Sequence, residues 1–134
     1  MQKVTAIFLF LTLCVQLFSQ KKSCEKIYDK PDTMAHYKTE RNDLPRYISA
    51  KILPLLGDCI KQKMEFVYSM EIKFTIDETG KVIAVDFLKP VLSDYCSGKL
   101  RAEFLTMEGW RPAKFNGKKV CSYFIYSIGG ITWH

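Results

Sequence analysis

Strict alternation of apolar and polar side chains from Tyr68 to Ile76 constrains this chain more than any other feature. In Tyr68-Ser69-Met70-Glu71-Ile72-Lys73-Phe74-Thr75-Ile76, a period of two puts Tyr68, Met70, Ile72, Phe74 and Ile76 on one face of a strand. Asp77-Glu78-Thr79-Gly80 follows as a short turn, with a glycine free to take positive φ. Lys81 to Leu88 then returns as a second strand, which makes a hairpin. One covered face and one wet face is the antiparallel pattern.

The flanking segments supply helices. Asp43 is placed to cap a helix whose Pro45 fits the first turn, where a missing N–H costs nothing. Leu44, Ile48, Ile52 and Leu55 recur at helical spacing with Tyr47 beside them, so one face is buried. Pro54 and Gly57 are expected to kink or end this helix. After the hairpin, Ser93 or Asp94 caps a second helix. Leu100, Phe104, Met107 and Trp110-Arg111 follow at helical steps until Pro112 stops it. Asn116-Gly117 turns the chain, and Val120 to Tyr126 is rich in aromatic and β-branched residues, a third strand. Gly129-Gly130 ends or bends that strand.

The expected order is helix, strand, strand, helix, strand. A helix on short loops leaves the third strand running with the second, so an all-antiparallel sheet needs it beside the first. The expected fold is therefore α+β: a three-stranded antiparallel sheet of order 2-1-3, both helices on its apolar face, the third strand an edge.

The N-terminus sets the compartment. Met1-Gln2-Lys3 is followed by the apolar run Val4 to Phe18, and hydrophobicity stops at Ser19-Gln20-Lys21-Lys22. A charged start, a short apolar run and a small residue before a polar segment make a secretory signal, and the run is short of the roughly 20 residues a bilayer span needs. Residues 1–19 are expected to be removed, with cleavage near Ser19 or Gln20; an uncleaved N-terminus would instead anchor the chain in the inner membrane. Residues 20–42 are polar and without period, an extended lead-in, and 43–134 form the domain. Cleavage removes Cys14 and leaves Cys24, Cys59, Cys96 and Cys121, an even set that favours disulfides in an exported chain. Three pairings are open to four cysteines, and no C-x-x-C spacing suggests zinc or dithiol chemistry.

Composition is that of a globular chain: 48% hydrophobic and 25% charged over 134 residues, enough for one domain with appendages. The formal charge of +6 suits an anionic surface or an acidic peptide without choosing one. His36 lies in the polar lead-in and His134 is the last residue, so neither is placed as a triad base or metal ligand. Asp77 and Glu78 are paired carboxylates, but they sit in a hairpin turn, where acids are ordinary. No Gly-rich phosphate loop is present. Catalysis, a cofactor, a small-molecule substrate and nucleic-acid binding are not expected.

One set of residues resembles a known family. Phe74-Thr-Ile-Asp77-Glu-Thr-Gly80-Lys-Val82, Leu100, Trp110-Arg-Pro112-Ala-Lys and Asn116-Gly117-Lys-Lys-Val120 before an aromatic strand look like the C-terminal domain of TonB. Leu44-Pro-Arg-Tyr47 through Leu53-Pro54 resembles that family's first helix, and the likeness spans Leu44 to Trp133. The Ser-Gln end of the signal resembles those of Bacteroidetes-type bacteria. The resemblance implies a periplasmic module that grips a short segment, the TonB box, at the N-terminus of an outer-membrane transporter. The box adds as a strand to the edge formed by the domain's last strand. By position that strand is Lys119, Val120, Cys121, Ser122, Tyr123, Phe124, Ile125 and Tyr126.

Departures from the family are plain. Its uncleaved membrane helix and long Pro-rich arm have no counterpart in these residues, its Tyr-Pro step is Leu53-Pro54, and its glycine before the first strand is missing around Phe66-Val67. A family proline is replaced near Ile128-Gly129, and the cysteines are extra. Partners compatible with this reading are a TonB-box-like peptide of a transporter or another envelope protein, or a second copy of the chain. The alternative is a disulfide-stapled envelope domain that is structural or dimerises through the same edge. Trp110 is assigned to the core, and Lys114, Lys118 and Lys119 are solvated turn lysines or contacts for an acidic peptide. Of Tyr123 and Tyr126, one is expected to face the core and the other a partner.

Overall fold

The computed structural model describes residues 24–63 and 67–131. The expected export signal, Phe66, Trp133 and His134 lie outside the described residues. Two short strands come first, β1 (Ile27–Tyr28) and β2 (His36–Tyr37). A helical segment follows as α1 (Asp43–Tyr47), a π turn (Ile48–Ile52) and α2 (Leu53–Lys63). The hairpin is β3 (Met70–Ile76) and β4 (Val82–Lys89), and then come α3 (Asp94–Phe104), β5 (Trp110–Arg111), β6 (Ala113–Phe115) and β7 (Lys118–Ile128).

The fold is α+β, but the sheet is not three-stranded. Its order is β1-β7-β3-β4, with β6 also paired to β7, and β2 pairs β5 in a separate two-stranded ribbon. The expected order survives inside it, because β7 lies beside β3 and antiparallel to it. What the sequence pattern hides is the contribution of very short strands. β1 is two residues long and runs parallel to β7, so the sheet is mixed rather than all antiparallel.

The hairpin forms for the expected reason. Met70, Ile72, Phe74 and Ile76 are all buried, and Phe74 meets Phe104 of α3 edge-on with ring centroids 5.1 Å apart. Tyr68 is the exception: it lies before the strand and is 70% exposed. The turn is fixed by Asp77, whose Oδ1 accepts from the Thr79 N–H, the Thr79 hydroxyl and the Lys81 N–H. Burial alone would raise the Asp77 pKa. Those hydrogen bonds, with the nearby Lys81 charge, outweigh it and hold the carboxyl below its usual range. Gly80 has φ +85°, and a Cβ there would collide with the Trp110 carbonyl. The hairpin turn therefore rests directly on β5.

The first helix does not stop at Pro54 or Gly57. Leu53 donates its N–H to the Ile48 carbonyl, one residue beyond the usual partner, and this wide turn immediately precedes Pro54. A proline ring normally clashes with the carbonyl four residues back. The π turn relaxes that contact, and the helix runs on to Lys63. Ile48, Ile52, Leu56, Cys59 and Ile60 then share one core with Cys96, Leu100 and Phe104 of α3. Both helices cover the same face of the sheet. Tyr47 ties them together at the far end, donating its hydroxyl to the carbonyl and carboxylate of Glu103. Burial, then the Glu103 charge, pushes that hydroxyl's pKa well above the phenolic range.

The second helix is capped by Ser93, whose hydroxyl accepts from Cys96 N–H, and it ends at Phe104. Trp110 is thus not its last turn but part of β5, opposite Tyr37. Leu105 and Thr106 turn the chain and Gly109 takes φ +94°, which no helix continues through. Trp110 is nevertheless core, 4% exposed and packed against Phe74, Tyr37 and Phe124. The lead-in also belongs to the folded unit. Ala35 and Tyr37 are buried, Thr33 exchanges both backbone hydrogen bonds with Lys114, and Lys38 donates to the Gly109 carbonyl.

All four cysteines among the described residues are bridged. Cys59–Cys96 joins α2 to α3, and Cys24–Cys121 ties the start of the described chain to β7. Such bridges suit an oxidising compartment. No helix among the described residues is long and apolar enough to cross a membrane.

Candidate functional site

The expected partner strand divides into two halves with different neighbours. Asn116 and Gly117 both take positive φ, 50° and 75°, the twist a two-residue hairpin needs. They fold β6 back on β7, so that Ala113 faces Val120, Lys114 faces Lys119 and Phe115 faces Lys118. Cys121 and Ser122 lie beside Ile27 and Tyr28 of β1. Ser122 is flanked on its other side by Ile76, which places β1 and β3 on opposite edges of β7. From Tyr123 to Ile128 the register continues against β3 only. The side facing away from β3 is unpaired there among the described residues.

Within the expected strand, β1 pairs with Cys121 and Ser122 on the side away from β3, and Lys119 and Val120 pair with β6. Tyr123, Phe124, Ile125 and Tyr126 are on the open edge, which runs on through Ser127 and Ile128. The lysines fall on the covered side of this division: Lys114 is in β6, and Lys118 and Lys119 open β7. The open run Tyr-Phe-Ile-Tyr-Ser-Ile has no charge and no proline.

Alternation assigns the two faces of the open half. Phe124 pairs with Phe74 and Tyr126 with Ile72, both turned inward, and the Phe124 ring lies 5.2 Å from that of Trp110. Burial raises the pKa of the Tyr126 hydroxyl. Tyr123 and Ile125 point outward, Tyr123 under the Lys73 ammonium at 4.7 Å and Ile125 53% exposed. Tyr126 therefore lies on the core side of the strand and Tyr123 on the outer face.

A cleft of about 410 Å³ borders the open edge on the inner face. Phe124 and Tyr126 form one wall, and His36, Tyr37, Leu44 and Pro45 form the other. An extended chain laid beside Tyr123–Ile128 would direct alternate side chains into this cleft and the others over Ile125. The lead-in wall was not legible as a site. Its only signal was the apolar pair Ala35 and Tyr37 inside an otherwise polar stretch. Asp77 and Glu78 stay in the hairpin turn, and among the described residues no group of three or more His, Cys, Asp or Glu side chains is arranged to hold a metal. Comparisons with protein-family models, with curated proteins and with solved structures find no match.

Proposed function

We propose that this chain is an exported peptide-binding module of the envelope, similar to the C-terminal domain of TonB, that captures an extended segment by strand addition at Tyr123–Ile128. The segment is the N-terminal TonB-box-like peptide of an outer-membrane transporter or of another envelope protein, and the chain works in the periplasm. One observation carries the reading: the open half of β7 offers unpaired backbone groups, an uncharged edge and an adjoining cleft in one place. Backbone hydrogen bonds supply affinity in this mode, and the cleft supplies selectivity for apolar side chains at alternate positions.

The test is a titration with TonB-box-type peptides followed by amide resonances. Shifts concentrated on Tyr123–Ile128 and on His36–Pro45 support strand addition. Shifts confined to Lys118–Ser122 or to α2 defeat it. The same uncharged edge also suits a second copy of this chain, paired edge to edge. A concentration-dependent dimer in sedimentation that competes with peptide would assign the edge to self-pairing.

A further inference from the structure

We propose that Cys24–Cys121 is a dithiol-reducible latch that sets the length of the open edge, whereas Cys59–Cys96 is a permanent staple. The two bridges differ at one end. Cys59 and Cys96 are 1% and 0% exposed between the helices. Cys24 is half-buried and Cys121 is 7% exposed, and both line a surface cleft of about 540 Å³ with Lys26, Lys119 and Asp77. The Cys24 end therefore gives a reductant an approach that the helix-to-helix bridge lacks.

What the latch holds is small. β1 contributes two residue pairs to a parallel ladder, the weaker kind, with the Tyr28 ring 4.8 Å from Phe115 and Lys26 above Tyr28. Downstream the chain is anchored independently: Asp32 Oδ2 accepts from the Asn116 N–H at 2.7 Å, and Thr33 pairs with Lys114. Opening the bridge therefore frees the strap up to that anchor and leaves the rest of the lead-in in place. β1 lies along the same side of β7 as the open edge, so its departure extends that edge from Tyr123–Ile128 to Cys121–Ile128.

The chemistry is thiol–disulfide exchange with a protein dithiol of the Cys-x-x-Cys class. A thiolate of the reductant attacks the Sγ of Cys24, the more exposed residue of the pair, forming a mixed disulfide and expelling Cys121 as a thiolate that takes up a proton. The reductant's second thiol attacks the mixed disulfide, closes its own disulfide and releases Cys24, which is protonated in turn. Two electrons and two protons pass from the dithiol to this chain.

The consequence for peptide length rests on the strand-addition reading; the selectivity of reduction and the release of the strap do not. Native protein is treated with a limiting reduced Cys-x-x-Cys protein, alkylated and mapped by mass spectrometry, with amide exchange followed in the same samples. Alkylation of Cys24 and Cys121 at least about tenfold faster than of Cys59 and Cys96 is expected, with faster exchange at Ile27 and Tyr28 and unchanged exchange at Phe74. Equal rates for the two pairs, or a strap that stays protected after its bridge opens, overturn the latch. The double variant Cys24→Ser, Cys121→Ser should show the released strap without any reductant. TonB-box-type peptides of six and eight residues then separate the two ideas. A gain of about tenfold for the longer peptide on reduction supports the latch, and equal gains for both lengths contradict it. Failure of either form to bind any peptide counts against strand addition alone, because selective strap release still upholds the latch.

Discussion

The sheet has two outer edges, and only one is defended. β4 carries Asp86 and Lys89, and its pairing with β3 slips register twice, between Glu71 and Ile72 and between Thr75 and Ile76. The Val85 carbonyl is taken by the Arg101 side chain, which donates Nε–H at 3.0 Å. Charges, bulges and a capping side chain are the devices by which proteins keep strands from adding to an edge. The open half of β7 has none of them: its pairing with β3 is regular and its residues are uncharged. The contrast leaves the open half of β7 available for strand pairing, which the proposed function requires.

Four measurements would break or sharpen that contrast. Phe124→Ala has the largest expected effect, about 2–3 kcal/mol in chemical denaturation, below the ~3–5 of a fully buried phenylalanine because Phe124 is half-buried. No loss would mean the open half is loosely held and not a template. Arg101→Ala leaves the Val85 carbonyl without this partner and should cost about 1–2 kcal/mol. It should also make β4 a competing edge, seen as new self-association in sedimentation; the same association state as the parent would show that bulges and charges suffice.

Asp77→Asn acts at the hairpin turn and reads out through pH. The folded-state pKa of Asp77 lies below its unfolded value of about 3.9, so its contribution is present above that pH and is lost as pH falls through the lower folded value. The variant should be less stable near neutrality, by up to about 1 kcal/mol after solvent screening, and should converge with the parent in acid. A constant gap across that window would assign the effect to the turn's geometry instead. Ile125→Lys should change stability by less than about 0.5 kcal/mol, since the side chain points outward. It should still weaken peptide pairing about tenfold in the amide titration, since an edge lysine is a natural guard. Unchanged pairing would remove this edge from the proposal.

The parts of the fold legible in the sequence are those long enough to show a period. β3 alternates over seven residues, Ser93 caps α3, and Asn116-Gly117 makes the turn its composition demands. β1, β2 and β5 are two residues each, too short for any periodicity, and they exist because tertiary partners hold them. Trp110 illustrates the limit. Its spacing from Leu100 and Phe104 fits a helix and its burial is as expected, yet a turn after Phe104 delivers it to the core from a strand. Of the candidate site, the strand was readable and its boundary was not. Whether Cys121 faces Cys24 or another cysteine decides where cover ends, and pairing among four cysteines leaves no mark on the sequence.

The π turn at Ile48–Ile52 has a consequence for the chain's tolerance of insertion and deletion. A wide turn of this kind is an ordinary helix carrying one surplus residue, absorbed without turning the helix beyond it. Deleting one of the exposed residues Ser49, Ala50 or Lys51 would therefore restore regular helix and leave Leu56, Cys59 and Ile60 facing the core. A deletion between Leu53 and Asp58 has no such slack: it would rotate the residues beyond it by about 100° and turn Cys59 away from Cys96.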